Sequence, residues 1–331
     1  MQHDVFGRAL RRLLEPANAE LFFKSADPDD PRLGNYVTTL GKDLLSHTTT
    51  VALIGVPQHK GVERNNGRVG AETAPTTIRH FLYRMALSGI QDAITSGKLC
   101  VVDAGNIKPD GLTLEQIHDE LHDVIASLLR ANVFPIVLGG GHDVAWPSIR
   151  AYETIGEPYG VINIDAHTDV RPMLADGRAH SGSPFRQMLE TANSCLASGV
   201  FVEYGIQPQC VAKAHLEYVT SHGGTVIMLD QARQQDAWKN AMRIASRVNK
   251  LHLSLDMDCF ASAFAPGVSA PSPDGFTPWE IAPCLRQTAQ SPSLTSFDVV
   301  ELNPQYDVDG RTARLAATMI MSVLSGLAER A

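Results

Sequence analysis

The chain has 331 residues, which at roughly 150 residues per domain suggests two domains or one large α/β unit with a sizeable core. Hydrophobic residues make up 44% and charged residues 19%, a composition that excludes disorder or a collagen-like repeat as the main state. Twenty-eight basic against thirty-six acidic residues give a net charge of -8, which argues against nucleic acid or an anionic membrane as a partner.

At the start of the chain, MQHDVFGRALRRLLEP has no apolar signal core. Arg8, Arg11 and Arg12 would suit a transit signal, but Asp4 and Glu15 favour an ordinary surface helix. Short β-branched runs then follow at 50–56, 99–105, 133–140, 160–166, 199–205, 225–229, 251–258 and 294–302, and read as about eight strands. Helical patterns separate many of them. In 114–132 the apolar residues Ile117, Leu121, Ile125 and Leu128 line one face. Strands apolar on both faces and alternating with helices predict a mostly parallel sheet covered by helices on both sides. No repeat or linker interrupts the pattern, so residues 1–331 are expected to form a single α/β domain, with 1–49 an extension packed on it. No apolar run approaches the ~20 residues of a membrane helix. Cys100, Cys195, Cys210, Cys259 and Cys284 are odd in number and far apart, so no disulfide framework or thiolate zinc site is expected. The expectation is a reduced, soluble, cytoplasmic protein.

In a parallel sheet the ligand site lies beyond the carboxyl ends of the strands, and four strand ends here carry acids and histidines. GGGHD (139–143) follows one run, DAHTD (165–169) the next, Asp256 and Asp258 close a third, and Glu301 a fourth. Asp165, His167 and Asp169 alternate, as do Asp256 and Asp258, so in an extended chain each set faces one way. No Lys or Arg lies within 251–267 to pair with the two aspartates, and a cation is the simplest compensation for adjacent buried carboxylates. His142 follows three glycines and can reach the same edge. Four Asp and two His match the charge of two divalent ions, and a set without thiolate favours Mn²⁺ over structural zinc. Taken singly, His142 or Asp143 could cap a helix, and DAHTD could be a wet strand face. Their joint occurrence at successive strand ends carries the metal reading. His118 and His122 are spaced like half a zincin motif, but Glu120 is misplaced for it, so they read as a solvated helix face. Cys259 points away from the metal edge and reads as a packed thiol. No Gly-rich phosphate loop is present.

Together GGGHD, NIDAHTD, SLDMD and VVELNP, in this order, resemble the motifs of the ureohydrolase family of arginase, agmatinase and formimidoylglutamase over roughly residues 50–320. The resemblance implies a three-layer α/β/α sandwich, a pair of Mn²⁺ ions on His142, Asp165, His167, Asp169, Asp256 and Asp258, and assembly into trimers or hexamers. It also makes Glu301 the carboxylate that binds a substrate amidine or guanidine, and Asp169 the carrier of a proton to the leaving amine. Within the family, GVERNNGRVGAETAPTTIR (61–79), SGSPFRQ (181–187) and AFAPGVSAPSPDGF (263–276) look most like formimidoylglutamase. That enzyme cleaves N-formimidoyl-L-glutamate to L-glutamate and formamide by attack of a metal-bridging hydroxide. The alternatives are a guanidino-acid hydrolase, agmatinase or arginase, or a non-catalytic metal-binding relative. Ala261-Ser262 replaces the D-P of arginases, which weakens an arginase or agmatinase reading. The shuttle histidine of those relatives falls at Ser181 or Phe185, with His180 one residue off the first. His180 is therefore a catalytic candidate and Ser181 a substrate-binding one. Arg171, two residues beyond Asp169, is expected to bind a substrate carboxylate, its rival role being an ion pair with a loop acid such as Asp176.

Overall fold

A computed structural model describes residues 10, 12–40 and 48–330. Most of the surface helix expected over the opening residues, Arg8 and Arg11 included, lies outside the described residues. Ten strands form one sheet: β1 (Leu14–Glu15), β2 (Thr38–Thr39), β3 (Thr49–Gly55), β4 (Leu99–Ile107), β5 (Phe134–Leu138), β6 (Tyr159–Ile164), β7 (Leu196–Ile206), β8 (Thr225–Met228), β9 (Leu251–Asp256) and β10 (Leu294–Val300). Their order is β1-β4-β3-β5-β10-β9-β6-β7-β8, with β2 also on β4. The eight runs read from the sequence are β3 to β10. The two extra strands are two residues each, too short to show periodicity, and both lie on β4. Among the described residues β1 alone pairs antiparallel.

Both faces of the sheet are apolar because successive side chains alternate. Leu53 faces one core with Leu253 and Phe297, against Ile78, Leu285 and Ile320 from helices Ala74–Leu82, Pro278–Gln290 and Arg311–Ala328. Ala52 and Ile54 face the other, against Ile117, Leu121 and Ile149 from helices Leu114–Arg130 and Ala145–Ile155. Each such aliphatic side chain contributes about 1.5–3 kcal/mol by leaving water. The result is the three-layer sandwich. Helix Leu114–Arg130 begins where a capping box allows: Gln116 N–H donates to Thr113 Oγ1 at 3.3 Å, and Thr113 N–H to Gln116 Oε1 at 2.8 Å. No helix among the described residues is long and apolar enough to cross a membrane.

The sheet order decides where chemistry can occur. β5, β10, β9 and β6 are consecutive neighbours at its centre. All run parallel, so their carboxyl ends open on one edge.

Candidate active site

After β5 the chain turns through Gly139–Gly141. A Cβ at Gly139 would lie 2.5 Å from the Val299 carbonyl oxygen, and one at Gly140 2.4 Å from that of Gln58. Glycine alone lets the turn pass between neighbouring chains and deliver His142 to the strand edge. The acids arrive differently from the expected alternation. β6 ends at Ile164 and β9 at Asp256, so 165–169 lie in the bend and irregular segment that follows and Asp258 in the single 3-10 turn Met257–Cys259. Asp169 has φ +43° and Glu301 φ +62°, a left-handed backbone that costs about 1–3 kcal/mol at a non-glycine residue. Local conformation, rather than strand pleat, aims these two carboxyls.

The structure brings the six expected ligands together. His142 Nδ1 lies 3.2 Å from Asp165, 2.9 Å from Asp169 and 3.1 Å from Asp256, in each case from Oδ2. His167 Nδ1 lies 3.2 Å from Asp258 Oδ2 and 3.4 Å from Asp165 Oδ1. Asp165 thus faces both groups, one oxygen to each. On the far side of the imidazole, Ser254 Oγ lies 2.9 Å from His142 Nε2 and donates its proton to Asp298 Oδ1 at 2.5 Å. With that proton committed, Ser254 can only accept from Nε2–H. His252 Nε2 lies 2.9 Å from the other Asp298 oxygen, and its Nδ1 is 2.7 Å from Ser296 Oγ.

Electrostatics agree with a cation-binding role. Burial lowers the pKa of His142, yet Asp165, Asp169 and Asp256 together hold it well above its ordinary value. Burial would raise Asp165, but His142 and His167 hold it down. Burial and neighbouring acids push Asp256 well up, and burial takes Asp258 to about 6 despite the attraction of His167. Glu301 is pushed to about 8, chiefly by burial, although its Oε1 accepts the His142 main-chain N–H at 2.9 Å. Beneath the cluster, buried Glu203 is also raised by burial, and Asn163 Nδ2 links its Oε2 at 2.8 Å to Asp165 Oδ2 at 3.2 Å. Among the described residues His142 Nδ1 and Asp258 Oδ1 are buried without a hydrogen-bond partner, an arrangement that two hard cations would complete.

A cavity of about 250 Å³ opens above this floor. Glu301, Arg171 and Ser181 line it, together with Asn65, Arg68 and Ser269, which the sequence reading passed over. Arg171 contacts Asn65 Oδ1 at 3.3 Å, and Asp176 pairs instead with Arg178 at 2.7 Å. Ser181 Oγ accepts from Asn65 Nδ2 at 3.2 Å. His180 does not line the cavity, and its position departs from the catalytic expectation. Its Nδ1 accepts from Gly182 N–H at 3.1 Å and its Nε2 donates to the Pro172 carbonyl at 3.0 Å, so the ring holds its own loop. His118 also departs from expectation: it is buried, with Nε2 2.8 Å from Asp143 Oδ2, an oxygen that Gln58 shares at 2.8 Å. Cys259 is buried as expected.

Residues 49–326 match the arginase family model. A formimidoylglutamase of Streptococcus pyogenes is 35% identical over 288 residues, covering 85% of this chain and 86% of that protein. The crystal structure of Trypanosoma cruzi formiminoglutamase with two Mn²⁺ ions is 33% identical, superposes with a TM-score of 0.81, and covers 92% of this chain and 100% of that one. Proclavaminate amidino hydrolase of Streptomyces clavuligerus is more distant, at 27% identity and a TM-score of 0.76 over 89% of this chain and 96% of that one. On the length and depth of these matches, the chain belongs to the arginase family.

Proposed function

We propose that the chain is a binuclear-manganese hydrolase that cleaves N-formimidoyl-L-glutamate to L-glutamate and formamide. The observation that carries this reading is one cavity lined by His167, Asp169, Asp256 and Asp258 of the acid-histidine cluster, together with Glu301 and Arg171. The likeness to formimidoylglutamases supports it. His142, Asp165, Asp169 and Asp256 would hold one ion, and Asp165, His167 and Asp258 the other. A pair of divalent ions there would lower the pKa of a water toward neutrality. Glu301 accepts N–H bonds from the amidine head and orients its planar carbon. Water adds to that carbon, Asp169 takes the proton the water gives up, and as the bond to the glutamate nitrogen breaks Asp169 passes that proton to the departing nitrogen. Arg171 receives a substrate carboxylate, and Ser181 has its O–H free to donate because Asn65 supplies the bond it accepts. Trimeric or hexameric assembly and a cytoplasmic location belong to the same reading, supported by the family resemblance.

The test is product analysis of Mn²⁺-reconstituted protein on a panel of formimidoyl and guanidino compounds. Formamide and glutamate should appear fastest. Faster urea release from arginine, agmatine or a guanidino acid would overturn the substrate. Glu301→Gln should abolish most turnover while binding the same number of Mn²⁺ ions, and unchanged turnover would refute its role.

A further inference from the structure

The cavity wall carries a second arginine that the proposed chemistry does not use. Arg68 lies two residues beyond the left-handed Asn66 in a loop whose carbonyls at Arg68 and Val69 accept from Asn303 Nδ2 at 2.8 and 2.9 Å. Its main-chain N–H donates to Ser269 Oγ at 3.0 Å, its Nε to the Ser269 carbonyl at 3.0 Å and its Nη2 to the Val268 carbonyl. The guanidinium lies 4.1 Å over the Tyr306 ring. Backbone, fork and ring plane are therefore all fixed, and among the described residues Nη1 has no hydrogen-bond acceptor. Among the described residues neither Arg68 nor Arg171 is in an ion pair. Two arginines outside any described ion pair thus line a cavity whose floor is acidic.

We propose that Arg68 is a specificity-determining residue, the second arm of a two-point clamp in which Arg68 and Arg171 each take one carboxylate of a dicarboxylate substrate. This rests on the reading above for the substrate's amidine end, while the clamp itself concerns only the acid end. A cationic head over the floor and two anionic ends on two separate arginines match the charge order of the cavity. A bond from a fixed guanidinium to a carboxylate contributes about tenfold to a hundredfold in affinity. Arg68 is held before the ligand arrives, so little ordering cost is deducted from that gain.

The experiment compares wild type, Arg68→Met and Arg171→Met on N-formimidoylglutamate and on its α-amide and γ-amide. Wild type should prefer the diacid over both amides. Arg68→Met should lose about tenfold to a hundredfold in kcat/KM on the diacid, mainly through KM, and no longer distinguish the diacid from one of the amides. Arg171→Met should lose the distinction against the other amide. Equal loss on all three compounds would make Arg68 a loop pin and overturn the clamp, as would no loss. Tyr306→Leu removes only the exposed ring beneath the guanidinium and should show a smaller loss with the same pattern, which keeps the test open if Arg68→Met folds poorly. Calorimetric binding of glutarate reads the clamp without turnover. An affinity lowered tenfold or more by Arg68→Met upholds it even if the amidine substrate proves to be different, and an unchanged affinity overturns it.

Discussion

Replacing Asp258 by alanine should stabilise the protein in the presence of a chelator while destroying its catalysis. Burial takes the Asp258 carboxyl to about 6 from an ordinary 3.8, so holding it ionised in the folded state costs roughly 3 kcal/mol at neutral pH. A carboxyl raised on folding costs nothing below its unfolded pKa, a growing amount between the two values, and the full amount above the folded one. The penalty is thus absent near pH 4 and complete above about pH 6. The value of about 6 already includes the attraction of His167, so truncation adds only the cost of a small void, about 1 kcal/mol. The net gain is about 2 kcal/mol at pH 7.5. For 331 residues, at about 2.1 cal/mol/K of unfolding entropy per residue, this raises Tm by roughly 3 °C. Thermal denaturation in chelator and in Mn²⁺, at pH 7.5 and pH 4, reads the effect. The variant should melt above wild type in chelator at pH 7.5, lose that advantage at pH 4, and melt below wild type in Mn²⁺. A variant that melts below wild type in chelator at pH 7.5 would refute the reasoning.

Arg171→Ala should raise KM for N-formimidoylglutamate about tenfold or more with kcat nearly kept; unaltered kinetics would remove Arg171 from substrate binding. Asp298→Asn is isosteric but removes the anion that commits the Ser254 proton, so Mn²⁺ affinity should fall about 10–100-fold by calorimetry with the fold intact. Gly61→Ala places a Cβ 1.9 Å from Asp143 Oδ1 and should destabilise by about 1–3 kcal/mol, visible as a lower denaturant midpoint.

The eight longer strands and the clustered acids and histidines were legible because their signals are local. An apolar run marks a buried strand, and an acid or histidine at its end marks the open edge. The cluster converges by another route than the expected alternation, which does not continue past Ile164 or Asp256; left-handed backbone aims Asp169 and Glu301. Such a conformation leaves no mark on an Asp or Glu in the sequence. His118 was misjudged because a histidine among charged neighbours reads as solvated, whereas its partner Asp143 is 25 residues away. Arg68 escaped notice for a similar reason. Its anchoring carbonyls at 268 and 269 lie about 200 positions downstream, and no periodicity reaches across that span.

The place of β10 in the sheet bears on how the chain is made. It is the last strand in the sequence, yet it lies between β5 and β9 and joins the β3-β4-β5 half to the half formed by β6, β7, β8 and β9. Until residues 294–300 emerge from the ribosome, β5 and β9 each present a bare edge, which in a growing chain invites mispairing. His142 then belongs to one half-sheet, and Asp165, Asp169 and Asp256 to the other. Strand β10 also brings Asp298 to Ser254 and Glu301 to the His142 main chain. The site is therefore complete only with β10 in place: without that strand, Asp298 does not reach Ser254 and Glu301 does not reach the His142 main chain.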